Sequence, residues 1–478
     1  MSIVRLGTVT TKVPARLDRL PWSRWHWMIV VGLGTVWILD GLEVTIVGNL
    51  TAQLARPGSG LDITQTQVAG MAGALYVAGA CTGALFFGWL TDRFGRKKLF
   101  MITLLVYLAA TALTAFSFQV WWFFLFRFMT GFGIGGEYAA INSAIDELIP
   151  SRHRGKIDII INGSYWLGAA GGALLTVPLL NDLPVNIGWR VAFGMGVVLG
   201  LAILLVRRHV PESPRWLFIH GRGEEAERLV GGIEQEVERE TGARLAEPGE
   251  AITIRQRRST GFGTVAHTLI RAYPRRTVLG MSLFIGQAFL YNAITFGYAN
   301  ILATFFQIET HTGYYFAVIA IGNFLGPLLL GHLFDSVGRV QMISATYIGS
   351  GVLLLITAWL FAQGALTAVT LTACWCLVLF VASAGASSAY LTVSEVFPME
   401  TRAMAIAFFY AIGTAVGGIS GPLIFAGLVE SGMPGDTALA FAIGAVLMIL
   451  AGVVELFLGV RAEGKGLEAI ARPLSATA

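Results

Sequence analysis

Gly88-Trp89-Leu90-Thr91-Asp92-Arg93-Phe94-Gly95-Arg96-Lys97-Lys98 closes one long apolar stretch and opens the next, and it returns in shortened form as Gly331-His332-Leu333-Phe334-Asp335-Ser336-Val337-Gly338-Arg339. A second landmark repeats at the same spacing to within a few residues: Glu147-Leu148-Ile149-Pro150-Ser151-Arg152-His153-Arg154 returns as Glu395-Val396-Phe397-Pro398-Met399-Glu400-Thr401-Arg402. Two unrelated landmarks with one offset mean that the chain consists of two halves of the same kind. In these motifs glycine permits a tight turn or close approach, and an acidic residue can cap a helix or pair with a basic neighbour. Gly88, Asp92, Arg93, Gly95, Arg96, Glu147 and Arg154 in the first half, with Asp335, Arg339, Glu395 and Arg402 in the second, are expected to form a gate rather than a ligand site.

Around these motifs the composition suits hydrocarbon. Of 478 residues 55% are hydrophobic and 13% charged, with mean hydropathy +0.69, whereas soluble domains carry about 25% charged residues. A soluble enzyme is excluded. Bilayer helices need about 20 apolar residues, and a sliding window finds twelve, near 27–50, 68–91, 98–118, 121–147, 157–180, 188–207, 276–304, 312–333, 340–362, 366–392, 402–428 and 437–460. The expected fold is an all-α integral membrane protein, its twelve transmembrane helices in two pseudo-symmetric six-helix bundles. Residues 27–207 and 276–460 form the bundles, 1–26 an N-terminal segment, 208–275 a linker with a short helix over the mixed-charge stretch 224–240, and 461–478 a tail. No short apolar region with a small-residue cleavage site follows the basic N-terminus, so the first span is expected to be retained.

Charge placement orients the chain, because Lys and Arg are held on the cytoplasmic side. The N-terminal segment holds Arg5, Lys12, Arg16, Arg19 and Arg24, and the stretch 207–276, the linker with its flanking arginines, holds thirteen of the 33 basic residues. The loops of the opposite side hold only Arg56 and Arg190. Both termini and the linker are therefore expected in the cytoplasm. The linker's acidic residues nearly balance its basic ones, which argues against a nucleic-acid site.

With Pro211-Glu212-Ser213-Pro214-Arg215-Trp216 after the sixth span, the duplicated motif resembles the signature motifs of the major facilitator superfamily, and is most similar to sugar porters and their organic-acid relatives. The resemblance covers about residues 25–460 and implies alternating access around a midplane cavity. Asp40-Gly41-Leu42-Glu43 is similar to the D-G-x-D of aromatic-acid:proton symporters, with Glu in place of the second Asp. Gly135-Gly136-Glu137-Tyr138 resembles the G-G-E-W of metabolite:proton symporters, and the fifth span lacks the G-P-x-x-G-G of drug antiporters. The expected function is secondary active transport of a small polar metabolite, an organic or aromatic acid or a sugar, across the inner or plasma membrane by proton symport. Export of a small molecule and a non-transporting sensor of the same fold stay open.

Ionisable groups inside a span are costly and point to function. Asp40, near the middle of the first span, is expected to carry the coupling proton and to meet Arg127 of the fourth span, with Glu43 one turn on and Glu137 nearby. Asp146, Glu147 and Asp158 sit beside Arg152, Arg154 and Lys156 and read as gate salt bridges, while Glu455 is placed to snorkel. For the substrate, Gln287, Tyr291 and Asn292 in the seventh span resemble the Q-x-x-x-x-N region of sugar porters. Asn162, Tyr165 and Trp166 cluster at i, i+3 and i+4 in the fifth span, and Trp375 is a further candidate.

Enzyme chemistry finds no residues. There is no H-E-x-x-H, G-x-S-x-G or P-loop. Gly131-Phe132-Gly133-Ile134-Gly135-Gly136 fits G-x-G-x-x-G but lies in mid-span without a preceding strand, so close helix packing explains it. Cys81, Cys374 and Cys376 form no CxxC pair. No cofactor or metal is expected; the partners are a small-molecule substrate, a proton and the lipid bilayer, and the chain is expected to act as a monomer.

Overall fold

Only a helix satisfies its own backbone polar groups in hydrocarbon, so each apolar stretch becomes one wherever the chain crosses. The computed structural model describes residues 7–64, 67–207, 211–242, 244–256, 261–308 and 311–474; Arg5 lies outside the described residues. Its first half contains α1 (Val13–Asp18), α2 (Arg24–Leu54), α3 (Gly73–Phe94), α4 (Arg96–Ala115), α5 (Val120–Leu148), α6 (Ser151–Gly163), α7 (Tyr165–Asn181) and α8 (Val185–Arg207). The linker carries α9 (Pro214–Ile219), α10 (Gly223–Thr241) and α11 (Phe262–His267). The second half contains α12 (Pro274–Phe306), α13 (Thr312–Ser336), α14 (Arg339–Ala362), α15 (Ala368–Val396), α16 (Arg402–Glu430) and α17 (Pro434–Leu458), followed by α18 (Leu467–Ile470). Among the described residues nine helices are long and apolar enough to cross a membrane. The charged α5, α8, and α6–α7, interrupted at Ser164, complete the bundles.

Within the first half α3 and α4 pack on α5, and α2 on α7 and α8; within the second α12 packs on α16, α14 on α17 and α13 on α15. The halves meet where α3 lies on α16 and where α6 and α7 lie on α13. Small residues set these distances. A Cβ on Gly131 would stand 2.0 Å from the Tyr76 carbonyl oxygen and one on Gly135 1.9 Å from that of Ala80, so α3 and α5 touch backbone to backbone.

The segments from residue 7 to α1 and from α18 to residue 474 gather with the described part of the linker at one end of the bundle, called here the linker end. Strand β1 (Thr8–Thr11) pairs antiparallel with β2 (Ile252–Arg255), Thr8 opposite Arg255. On α10, Ala226, Val230, Ile233 and Val237 are buried on one face, and Gly242 ends the helix in the left-handed conformation. Arg16 and Arg19 of the N-terminal segment pair with Glu234 of α10 at 2.5 and 2.6 Å. Burial alone would raise the Glu234 carboxyl, but these two guanidiniums hold it below its ordinary value. One expectation changes: Glu455 does not snorkel. It is only 1% exposed, because Gly452 and Gly459 draw α17 tightly against α14 around it.

Candidate functional site

A cavity of about 150 Å³ opens between the halves. The first half lines it with Trp37 of α2, Tyr76 of α3, Tyr138 of α5, Asn162 of α6, and Tyr165 and Trp166 of α7. From the second half come Gln287, Tyr291 and Asn292 of α12, Ser383, Ser387 and Tyr390 of α15, and Tyr410 and Thr414 of α16. The rings form a connected wall: Trp37 stacks on Tyr138 at 4.6 Å, Tyr138 meets Tyr410 edge-on at 4.7 Å, and Trp166 faces Tyr291 at 5.3 Å. Amide and hydroxyl groups fill the gaps, and among the described residues the lining includes no Asp, Glu, Lys, Arg or His. Such a wall holds a flat ring by stacking and orients it with a few hydrogen bonds.

Six of the residues singled out for substrate thus come together here: Asn162, Tyr165, Trp166, Gln287, Tyr291 and Asn292. Trp375 does not join them. It lies eight residues nearer the other end of α15 than Ser383, about 12 Å away, and packs edge-on against Phe441 of α17 at 5.1 Å. The α15 contribution to the cavity is Ser383, Ser387 and Tyr390 instead. Tyr138 stood out in the sequence only as part of the Gly135–Tyr138 motif, and Trp37, Tyr76, Tyr390 and Tyr410 did not, because single aromatic residues are common in apolar spans and nothing in their spacing separates cavity from lipid.

Behind Tyr76 lies the charged pair, and its membership corrects the expectation. Arg127 donates to Glu43 Oε1 at 3.1 Å, not to Asp40. Thr111 Oγ1 donates to the same carboxylate at 2.9 Å, and the guanidinium lies over the Tyr76 ring at 4.9 Å. The rotation of α2 decides this. Gly41 and Gly168 let α2 and α7 touch, a Cβ on Gly41 standing 1.8 Å from the Tyr165 carbonyl oxygen, and that contact presents Glu43 to α5. Asp40, Glu43, Arg127 and Glu137 are each 1% exposed.

The predicted gate residues assemble at the linker end. Glu147 pairs with Arg96 within its half and lies 3.8 Å from Arg402 of the other. In the mirror arrangement Glu395 binds Arg339 at 3.0 and 3.1 Å within its half and lies 3.6 Å from Arg154. Asp335 accepts from the backbone N–H groups of Gly155 and Lys156 at 3.2 and 2.7 Å, and from Arg339 at 2.9 Å. Gly88 lets Ala407 of α16 approach α3. Gly95 and Gly338 turn the chain at φ +94 and +121, where other residues are strained.

The linker braces this gate. Glu212 accepts from the N–H groups of Arg96 and Lys97 at 2.9 and 3.2 Å, Trp216 Nε1 donates to the Asp92 carbonyl at 2.7 Å, and Arg215 donates to the Glu147 carbonyl at 2.7 Å. Arg93 stays outside the network, exposed over Trp89 and Phe94. Arg152 donates to the Leu20 carbonyl, and among the described residues neither carboxyl oxygen of Asp158 has a hydrogen-bond partner.

Residues 25–474 match the family described as "Sugar (and other) transporter". The chain is 27% identical over 458 residues to the niacin transporter NiaP of Acinetobacter baylyi, covering 95% of this chain and 99% of that one. It is 28% identical over 477 residues to the putative metabolite transport protein YdjK of Escherichia coli, covering 95% and 96%. To a probable 4-methylmuconolactone transporter of Cupriavidus pinatubonensis it is 24% identical over 403 residues, covering 83% and 82%. Among solved structures, the proton:xylose symporter XylE bound to 6-bromo-6-deoxy-D-glucose shares the fold with TM-score 0.73 at 18% identity, over 93% of this chain and 98% of that one.

Proposed function

Because the chain belongs to the sugar (and other) transporter family and is a multi-pass membrane transporter of the major facilitator fold, not an enzyme, we propose that it carries a small planar organic acid by proton symport. The observation that carries the substrate class is the aromatic wall around the cavity. A flat ring stacks on it, whereas a sugar presents hydroxyls on every edge and would leave many of them facing rings. A bare carboxylate would find no cation in the lining. An acid that arrives with a proton is neutral, and the amides of Asn162, Gln287 and Asn292 then suit its polar edge. NiaP and the probable 4-methylmuconolactone transporter, whose names specify small ring compounds, are consistent with this class.

Coupling is assigned to the Glu43–Arg127 pair, with Asp40 one turn away. When Glu43 is ionised Arg127 is engaged; when Glu43 takes a proton the guanidinium is released, and the helices it holds are free to move. The linker end is the cytoplasmic side of the cell membrane by its charge, and one chain supplies the whole cavity and gate, so the working unit is a monomer. With the ion pairs across the linker end in place, the state described is closed to the cytoplasm.

The test is uptake into proteoliposomes under an imposed pH difference, with nicotinate, benzoate, a muconolactone and xylose offered at equal concentration. A ring acid should accumulate and xylose should not. Accumulation of xylose alone would refute the substrate class, and accumulation unaffected by the pH difference would refute symport.

A further inference from the structure

Each guanidinium of the gate has a carboxylate: Arg96 and Arg402 have Glu147, Arg154 and Arg339 have Glu395, and Arg215 has Glu468 at 3.0 Å. Among the described residues Asp158 has none. It is 0% exposed on α6, neither of its carboxyl oxygens has a hydrogen-bond partner among the described residues, and it stands one turn from Asn162 on α6 as Asp146 stands one turn from Asn142 on α5. Asp146 is also 0% exposed, with Ser394 of α15 beside it and Arg154 Nε at 4.0 Å. One turn away the same helix faces are joined amide to amide, Asn162 donating to Asn142 Oδ1 at 2.9 Å, and Asn162 also lines the cavity. The two helices therefore form a short polar ladder from cavity to gate, ending in two fully buried carboxyl groups.

Two ionised carboxylates that face each other away from water repel, and a single proton between them removes the repulsion and supplies the missing donor. We propose that Asp146 and Asp158 form a second proton-binding site, which holds one shared proton while the gate is closed and releases it when the gate opens and water reaches the pair. The charged groups around the pair are Glu147 on α5, Arg154 on α6, Asp335 on α13, Arg339 on α14, Glu395 on α15 and Arg402 on α16. Among the described residues none of these guanidiniums lies within ion-pair distance of Asp158; Arg154 Nε stands 4.0 Å from Asp146, and neither it nor Arg402 Nη1 makes a hydrogen bond.

The sign follows from proton number. The closed gate binds one proton more than the open gate, so lowering the pH favours closure, by up to about tenfold per pH unit where the pair titrates. The readout needs neither substrate nor the coupling pair, so its failure would leave the proposed symport standing. In a chain whose native cysteines are replaced, Ala403→Cys on α16, buried against the other half at the linker end, is alkylated only when the gate opens. Alkylation rates are normalised for thiolate content with a free thiol.

The normalised rate should fall as the pH is lowered in the otherwise native chain and be flat in Asp158→Asn, whose amide donates permanently to Asp146. Asp146→Asn should flatten it likewise, and Asp158→Glu should keep the slope. If both Asn variants are unstable, a protonated-carboxyl infrared band of the folded protein that disappears on alkaline titration supports the site, and its absence overturns it. An unchanged slope in both Asn variants overturns it as well. A rate that depends on sodium instead of pH would assign the pair to a metal cation and reject the proton.

Discussion

The two halves share a gate but not their membrane interior. At the linker end each contributes the same device: a glycine turn, an arginine that opens a helix, and a glutamate that binds it and reaches an arginine of the other half. In mid-membrane the first half buries Asp40, Glu43, Arg127 and Glu137, while the described residues of the second half bury Glu455 alone, near the linker end of α17. Nine of the fifteen side chains with hydrogen-bonding groups that line the cavity, among them Gln287, Asn292, Ser383, Ser387 and Thr414, belong to the second half. A duplicated fold has kept the symmetric part that alternating access requires and divided the rest. On the proposed reading, the first half handles the proton and the second half the substrate.

Removing the first half's guanidinium should have the largest effect on the folded protein. Arg127→Ala leaves Glu43 buried without its partner, a change that costs about 3–5 kcal/mol, and should lower the thermal midpoint in detergent sharply. Arg127→Ala combined with Glu43→Gln should recover much of the loss. If the single variant is as stable as the native chain, the pair is not the organising charge of this half.

Next in size is the shared gate. Glu395→Gln weakens the contacts to Arg339 and Arg154, and loss of hydrogen bonds to charged groups at about 1.5–3 kcal/mol should shift the gate toward open by about tenfold or more. Spin-label distances across the linker end would report it, and an unchanged distribution would remove Glu395 from the gate. In the substrate half, Gln287→Ala should raise KM about tenfold by removing a hydrogen bond worth about 1–1.5 kcal/mol, with protons moved per substrate unchanged. A change in that ratio would break the division of labour.

The smallest effect concerns the tail. Burial alone would raise the Glu468 carboxyl, but Arg215 and Arg402 hold it below the ordinary 4.5. The charge-dependent part of α18 docking is therefore present at neutral pH and lost only as pH falls below that value. A fluorophore at Arg472 should become mobile in that acid range. Mobility already present at neutral pH would show that Arg215 does not hold the tail.

Much of the fold was legible because two signals agreed: long apolar runs punctuated by glycine and charge, and motifs that recur with one offset. The gate was legible for the same reason, since paired acids and bases at span ends have few places to go. The cavity was legible only in part. Gln287, Tyr291 and Asn292 stood out as polar groups in an apolar helix, but Tyr390 and Tyr410 did not, because a tyrosine suits lipid headgroups as well as a ligand. Asp40 and Glu43 are one turn apart on α2, and the choice between them as Arg127's partner depends on how Gly41 and Gly168 dock α2 on α7. Trp375 failed for a related reason: its neighbour Phe441 belongs to another helix, and spacing along one chain segment does not report height in the bundle.

The central claim is that Glu43 couples proton movement to substrate movement. The most direct measurement compares Glu43→Gln with the native chain in proteoliposomes, for accumulation driven by a pH difference and for substrate counterflow at equal pH. The account predicts that Glu43→Gln loses driven accumulation while counterflow continues, because an uncharged side chain still lets the helices exchange but carries no proton. Driven accumulation at the native level in Glu43→Gln would contradict it.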